Sequence, residues 1–220
     1  MEVELIRHGL TAGNMAGRYI GRTDEPLSTE GFAAIREKGE FPDVSRVYIS
    51  SMRRARETAA LLFPCADLLI YDDLREMDFG DFEGKSAQEM EFDAAYRTWV
   101  DAGCLDACPN GESISGFSGR VIHAFDRIVR EEMRRINSES KTAAGNPVPA
   151  RQNTRGNDRL IIVAHGGTIM AVMQAFAWPK RAFYDWHIGN GNGWRAQMDE
   201  TCWDRKPALT GYRQMEGMNL

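Results

Sequence analysis

Short apolar runs alternate along the chain with segments whose apolar residues recur every three or four positions. Residues 2–6 (EVELI) alternate loosely and end at Arg7-His8-Gly9, which predicts a strand delivering a loop. Residues 28–38 read as helix, opened by Ser28-Thr29-Glu30-Gly31, with Phe32 and Ile35 giving a partial apolar face. Residues 46–50 (RVYIS) are rich in β-formers and predict a strand. Arg53 to Phe63 reads as helix with Ala55, Ala59 and Leu62 on one side, stopped by Pro64. Residues 68–71 (LLIY) predict a further short strand.

Residues 86–102 are expected to be helical, because Ser86 followed by Glu89 is a capping-box pattern. The clearest periodicity starts near Ser113: Ile114, Phe117, Val121, Phe125 and Ile128 fall on one face of a helix reaching about residue 136. Residues 137–158 are polar, with two prolines and two glycines, and are expected to be an exposed loop or insertion. Residues 160–164 (LIIVA) form a continuous apolar run suited to a buried parallel strand. His165-Gly166-Gly167 follows it, then a helical run over Thr168–Phe176. The tail after Trp178 is rich in Gly and Trp, with an expected edge strand at Trp194–Met198.

Strands alternating with helices imply a three-layer α/β/α sandwich around a mostly parallel central sheet. One domain over residues 1–220 is expected. In open parallel sheets ligands bind beyond the carboxyl ends of strands, and two such ends here carry histidine followed by glycine. Taken alone, each is equally well a structural histidine at a strand end.

Composition narrows the classes. With 43% hydrophobic and 27% charged residues the chain is an ordinary globular sequence, and its net charge of −5 argues against a broad nucleic-acid or anionic-membrane surface. The acidic start MEVELIRHG lacks a leader's basic region, and no run approaches the roughly 20 apolar residues of a membrane span, so a cytoplasmic location is expected. Cys104 and Cys108 form a lone C-x3-C with no second pair nearby, and with Cys65 and Cys202 they read as ordinary thiols. There is no GxxxxGK[ST], no GxGxxG after the first strand and no HExxH, so neither a metal nor a cofactor is expected.

Ordered motifs then carry the functional reading. They are Leu5-Ile6-Arg7-His8-Gly9-Leu10-Thr11-Ala12-Gly13-Asn14, Arg18-Tyr19-Ile20-Gly21, Asp24-Glu25-Pro26-Leu27-Ser28 and Ser50-Ser51-Met52-Arg53-Arg54-Ala55-Arg56-Glu57-Thr58-Ala59. After these come Leu74-Arg75-Glu76-Met77-Asp78-Phe79-Gly80-Asp81-Phe82-Glu83-Gly84, Gly111-Glu112-Ser113 and Val163-Ala164-His165-Gly166-Gly167-Thr168. The set resembles the histidine phosphatase superfamily, the phosphoglycerate mutase-like family, from residue 3 to about 173, with the 137–158 stretch and the tail outside it.

The resemblance implies an acceptor for a dianionic phosphoryl group. Arg7 and Arg54 match the family's phosphate-binding cations, a role that suits arginine's permanently charged planar fork. Arg53 and Arg56 are expected to be solvated. His8 matches the nucleophile, and neutral imidazole can carry a phosphoryl group near pH 7. His165 matches the second histidine, which stabilises charge on the transferring oxygens, with the backbone at Gly166 adding donors near a helix start. Asn14 matches a phosphate-binding position, although a turn asparagine accounts for it equally well. Glu76 matches the general acid and base, with Asp78 and Glu83 as neighbouring alternatives. His123 and His187 are expected to be structural.

Within the family, mutases resemble this chain at the core. They typically place an arginine directly after the acid glutamate and add a basic insertion. Here Met77 follows Glu76, and Glu89, Glu91, Asp93, Asp101 and Asp106 make the next stretch acidic. The motifs around Glu76 and Arg18 look most like the α-ribazole phosphatase branch, which implies a small phosphorylated metabolite as partner. Tyr19, Phe79 and Phe82 are candidates to face a flat base, with a core position the better expectation for Phe79. A mutase-type phosphotransferase and a non-catalytic phospho-ligand binder are the alternatives.

Overall fold

The computed structural model describes residues 1–143 and 159–215. Its elements run β1 (Glu2–Arg7), α1 (Ala12–Met15), α2 (Thr29–Glu37), β2 (Arg46–Ser50), α3 (Arg53–Leu62), β3 (Asp67–Tyr71), α4 (Ala94–Asp101), α5 (Ile114–Ala143), β4 (Arg159–Ala164), α6 (Gly166–Phe176), β5 (Gly193–Met198) and β6 (Leu209–Met215). The strands form one sheet in the order β3-β2-β4-β1-β5-β6. The first four positions are mutually parallel, while β5 is antiparallel to both β1 and β6.

Strand periodicity of two separates the two faces. Val3 and Leu5 of β1, Tyr48 of β2 and Leu160 and Ile162 of β4 point into a core shared with Phe117, Val121, Phe125 and Ile128 of α5 and with α6. Ile6, Val47, Ile49, Ile161 and Val163 point the other way, onto Ile35 of α2 and Ala55, Ala59 and Leu62 of α3. The result is the expected sandwich. Of the five predicted α5 residues, Phe117, Val121, Phe125 and Ile128 are fully buried, and Ile114 is half-buried.

Several local expectations are corrected. The helix expected over 86–102 begins only at Ala94. The Ser86 and Glu89 capping box does form, with Ser86 N donating to Glu89 Oε2 at 2.8 Å and Glu89 N donating to Ser86 Oγ at 3.2 Å. It closes isolated turns, because the Asp93 side chain takes the backbone N–H groups of Ala95 and Tyr96 and starts a new helix there. At the far end α5 continues through Asn137 to Ala143, past the expected loop start, since no Gly or Pro interrupts the chain before Gly145. The rest of the expected loop, 144–158, lies outside the described residues. Phe32 is exposed, so the buried face of α2 rests on Gly31 and Ile35. The strand at Trp194–Met198 is an inner strand, covered on its open side by β6, which the sequence reading did not identify.

Candidate active site

Three adjacent parallel strands end at the same place. β1 ends at Arg7 and delivers His8, β4 ends at Ala164 and delivers His165, and β2 ends at Ser50. Because β4 lies between β1 and β2, the two histidines come together with ring centroids 5.1 Å apart in an edge-on arrangement. His165 Nε2 is 2.8 Å from Ser50 Oγ, which holds its ring, and its buried Nδ1 has no protein partner.

His8 is buried, and its Nδ1 lies 2.7 Å from the Gly9 carbonyl oxygen. A carbonyl only accepts, so Nδ1 carries the proton and Nε2 keeps its lone pair. Burial, with the Arg54 and Arg7 charges adding to it, holds the His8 pKa well below the ordinary 6.5. His165 is lowered in the same direction by burial, then by Arg54, His8 and Arg7. Both rings are therefore neutral near pH 7.

The cations arrive from different elements. Arg54 sits in the first turn of α3, fully buried, and donates to the carbonyls of Thr23 at 2.7 Å and Gly21 at 3.0 Å. The opposite side of that loop is tied by Glu83, which accepts from Gly21 N, Arg22 N and Thr23 Oγ1. Arg7 Nη1 donates to the Ile188 carbonyl at 2.7 Å, and Nε of each arginine is buried without a protein partner. Arg53 and Arg56 are exposed, as expected. Asn14 Oδ1 accepts from Asn190 Nδ2 at 3.0 Å, which turns the Asn14 amide donor to the opposite side.

Glu76 lies at the other end of the site. Its Oε2 accepts from Gly167 N at 2.9 Å and its Oε1 from Met77 N at 3.0 Å. A Cβ at 167 would stand 2.3 Å from Glu76 Oε1, so any larger residue there would push the carboxylate from its place. At Gly166 a Cβ would press on the Arg7 guanidinium at 3.3 Å. Arg120 pairs with Glu112 at 2.8 Å and donates to the carbonyls of Asp73 and Arg75, so this pair fixes the segment that carries Glu76. The alternative acids are engaged elsewhere: Glu83 as described, and Asp78 with Gly80 N and Arg22.

Beyond Arg7 and Glu76 opens a cavity of about 530 Å³. Tyr19, Met77, Phe79, Trp99, Ile114, Phe117, Met170, Phe183 and Tyr184 supply most of its wall, and among the described residues Arg7 is the one Lys or Arg that lines it. Tyr19 and Phe79 face it, whereas Phe82 is buried in the core against Tyr96 and Trp99. Phe79 packs against the core, as expected, and also lines the cavity. His187 departs from expectation: it lines this cavity, with Nε2 3.3 Å from Arg7 Nη1. His123 is exposed on α5. The tail, expected to lie outside the motif set, contributes His187, the Ile188 carbonyl and Asn190. Its Gly-Asn run carried no periodic signal that could have placed them. Among the described residues no group of three or more His, Cys, Asp or Glu is placed to share a metal ion, and no helix is long and apolar enough to cross a membrane.

Comparisons with known proteins give the family. The family model of the histidine phosphatase superfamily (branch 1) matches residues 3–136. An adenosylcobalamin/α-ribazole phosphatase of Salmonella typhimurium is 25% identical, over 100% of this chain and 96% of its own. A metal-independent phosphoserine phosphatase of Arabidopsis thaliana is 26% identical over 78% of this chain and 66% of its own. Among solved structures, the α-ribazole phosphatase of Shigella flexneri superposes with a TM-score of 0.63 at 25% identity, covering 91% of this chain and 92% of that one.

Proposed function

The chain belongs to the histidine phosphatase superfamily and is a phosphatase, and from that premise we propose that it hydrolyses small phosphomonoesters through a phosphohistidine at His8. The observation that carries this reading is the fixed tautomer of His8. Its Nδ1 proton is committed to the Gly9 carbonyl, and Nε2 is left as a nucleophile beside two arginines and a second neutral histidine.

In the first step His8 Nε2 attacks phosphorus and the P–O ester bond breaks. The departing alkoxide takes a proton from Glu76. The positive charge arising on the imidazole is shared with the Gly9 carbonyl through Nδ1–H. Arg7, Arg54, Asn14, His165 and the backbone N–H of Gly166 face the transferring oxygens, and such preorganised donors are what phosphoryl transfer needs. In the second step Glu76, now a carboxylate, takes a proton from water. That water attacks phosphorus, the P–N bond breaks, and neutral His8 and inorganic phosphate are restored.

The cavity bears on the leaving alcohol. Its aromatic wall suits a flat apolar group, which supports α-ribazole 5′-phosphate as the substrate to test first. Met77, at the position where mutases typically carry arginine, adds apolar surface there. A second anionic group in this space would be desolvated without a counter-charge, which argues against 3-phosphoglycerate.

The test is a quench during turnover of labelled α-ribazole 5′-phosphate in the presence of a chelator. Acid-labile, base-stable label on His8, absent in His8→Ala, is expected, together with slower turnover of 3-phosphoglycerate and phosphoserine. Label on another residue, full activity in His8→Ala, or loss of activity on chelation overturns the mechanism. Faster isomerisation of 3-phosphoglycerate than phosphate release would favour the mutase.

A further inference from the structure

Arg7 is held against Gly166 and at one edge of its guanidinium. On one side is Gly166, where even a methyl group would press on Cζ. At its edge, Nη1 is placed between the Ile188 carbonyl at 2.7 Å and His187 Nε2 at 3.3 Å. Arginine has no lone pair to offer, so His187 Nε2 is the acceptor and the ring is neutral, with its proton on Nδ1. Burial and the Arg7 charge both lower the His187 pKa, which agrees with that state.

His187 is firmly placed. It follows the short turn Phe183–Trp186, whose Trp186 is fully buried between Trp194 and Tyr212. Trp194 Nε1 donates to the Trp186 carbonyl at 3.1 Å. Arg181 lies over the rings of Trp186, Trp194 and Tyr212. The residue is thus anchored to the antiparallel edge of the sheet and reaches back to the cation at the end of β1.

We propose that His187 is a positioning residue for Arg7. Together with the Ile188 carbonyl it engages one amino group of the guanidinium, and the remaining donors, including the unpartnered Nε–H, are left aimed at the phosphoryl group. A planar fork is useful to a phosphate only when its rotation about the last side-chain bonds is fixed. This inference rests on Arg7 being a phosphate ligand.

The experiment compares His187→Phe, which keeps a ring but has no acceptor, with His187→Gln, whose Oε1 can stand where Nε2 stands. KM and kcat for p-nitrophenyl phosphate and the inhibition constant of vanadate, which has no leaving group, are measured with thermal melting of each variant. In His187→Phe, KM and the vanadate constant should rise together by about five- to tenfold, the ordinary net worth of one hydrogen bond. His187→Gln should return both to within about threefold of the parent, with equal melting temperatures. If His187→Phe does not melt cooperatively, His187→Leu takes its place. Unchanged vanadate inhibition in the acceptor-free variant, or no rescue by Gln, overturns the proposal. Arg7→Ala separates the two levels: if it leaves vanadate binding intact, the phosphate-ligand reading itself fails. If it weakens vanadate while His187→Phe does not, only the positioning role fails.

Discussion

At its phosphate-facing end the site presents Arg7, His8, Arg54 and His165, all at the ends of parallel strands or in the first turn of α3, each oriented by a named hydrogen bond. At its alcohol-facing end it presents Tyr19, Phe79, Phe183 and Tyr184, carried by loops and short turns and placed by packing. In the proposed mechanism the first region binds what every phosphomonoester shares, and the second meets what distinguishes one ester from another. A change in the first region should therefore be felt by all substrates alike, and a change in the second by one class of alcohol.

The largest effect that tests this division is at Glu76, which borders both regions. Positioned acid catalysis is worth about 10²–10⁴-fold. Glu76→Gln should slow single-turnover phosphorylation of the enzyme by a ribose-type phosphate within that range. With p-nitrophenyl phosphate the loss should be much smaller, because nitrophenolate leaves without a proton. Equal fractional losses would mean that Glu76 is not the leaving-group acid.

A smaller effect is expected from the aromatic wall. Tyr184→Ala removes part of the apolar surface at the cavity, and partial burial of one aromatic ring corresponds to about three- to tenfold in binding. KM for naphthyl phosphate should rise by that factor, while the vanadate inhibition constant stays put. A matching rise in both constants would dissolve the division between the two ends.

A separate effect concerns stability and pH. His8 and His165 are held well below 6.5 in the folded protein, chiefly by burial. An unfolded chain takes up protons on them as pH drops through about 6.5 while the folded one does not. Their contribution is complete above that pH and is lost as pH falls toward the folded values, with a limiting slope of about 1.4 kcal/mol per pH unit for each ring. Melting temperature should fall between pH 6.5 and 5.5, above the carboxylate range, and fall less steeply in His165→Gln. An identical slope in the variant would place the responsible protons elsewhere.

The same two regions differ in how far they were legible in the sequence. Strand β4 announces itself as LIIVA because both its faces are buried, and α5 shows its period because one face is wholly core. The motif residues sit directly after such elements, so periodicity and motif together locate His8, Arg54 and His165. The cavity walls have no such signature. Phe183, Tyr184 and His187 lie in a Gly- and Trp-rich tail whose route to the site is set by tertiary pairing of β5 with β1. The 86–102 stretch misled because a capping box specifies a turn without guaranteeing that a helix follows, and Asp93 supplied a competing start. The edge strand β6 alternates only weakly, with buried residues at its two ends.

The order of the strands also bears on how the protein is made. Glu2 of β1 pairs with Arg159 of β4, so the neighbour that brings His165 against His8 leaves the ribosome roughly 150 residues later. At about 5–20 residues per second that interval is some 8 to 30 seconds. Pairing at such sequence separation is also intrinsically slow, because the loop entropy is lost before any contact rewards it. Until then the nascent chain carries His8 at the end of a strand with neither sheet neighbour in place. The pairing of the two histidines comes late, with the insertion of β4 between β1 and β2, and the Ile188 carbonyl that holds Arg7 comes later still.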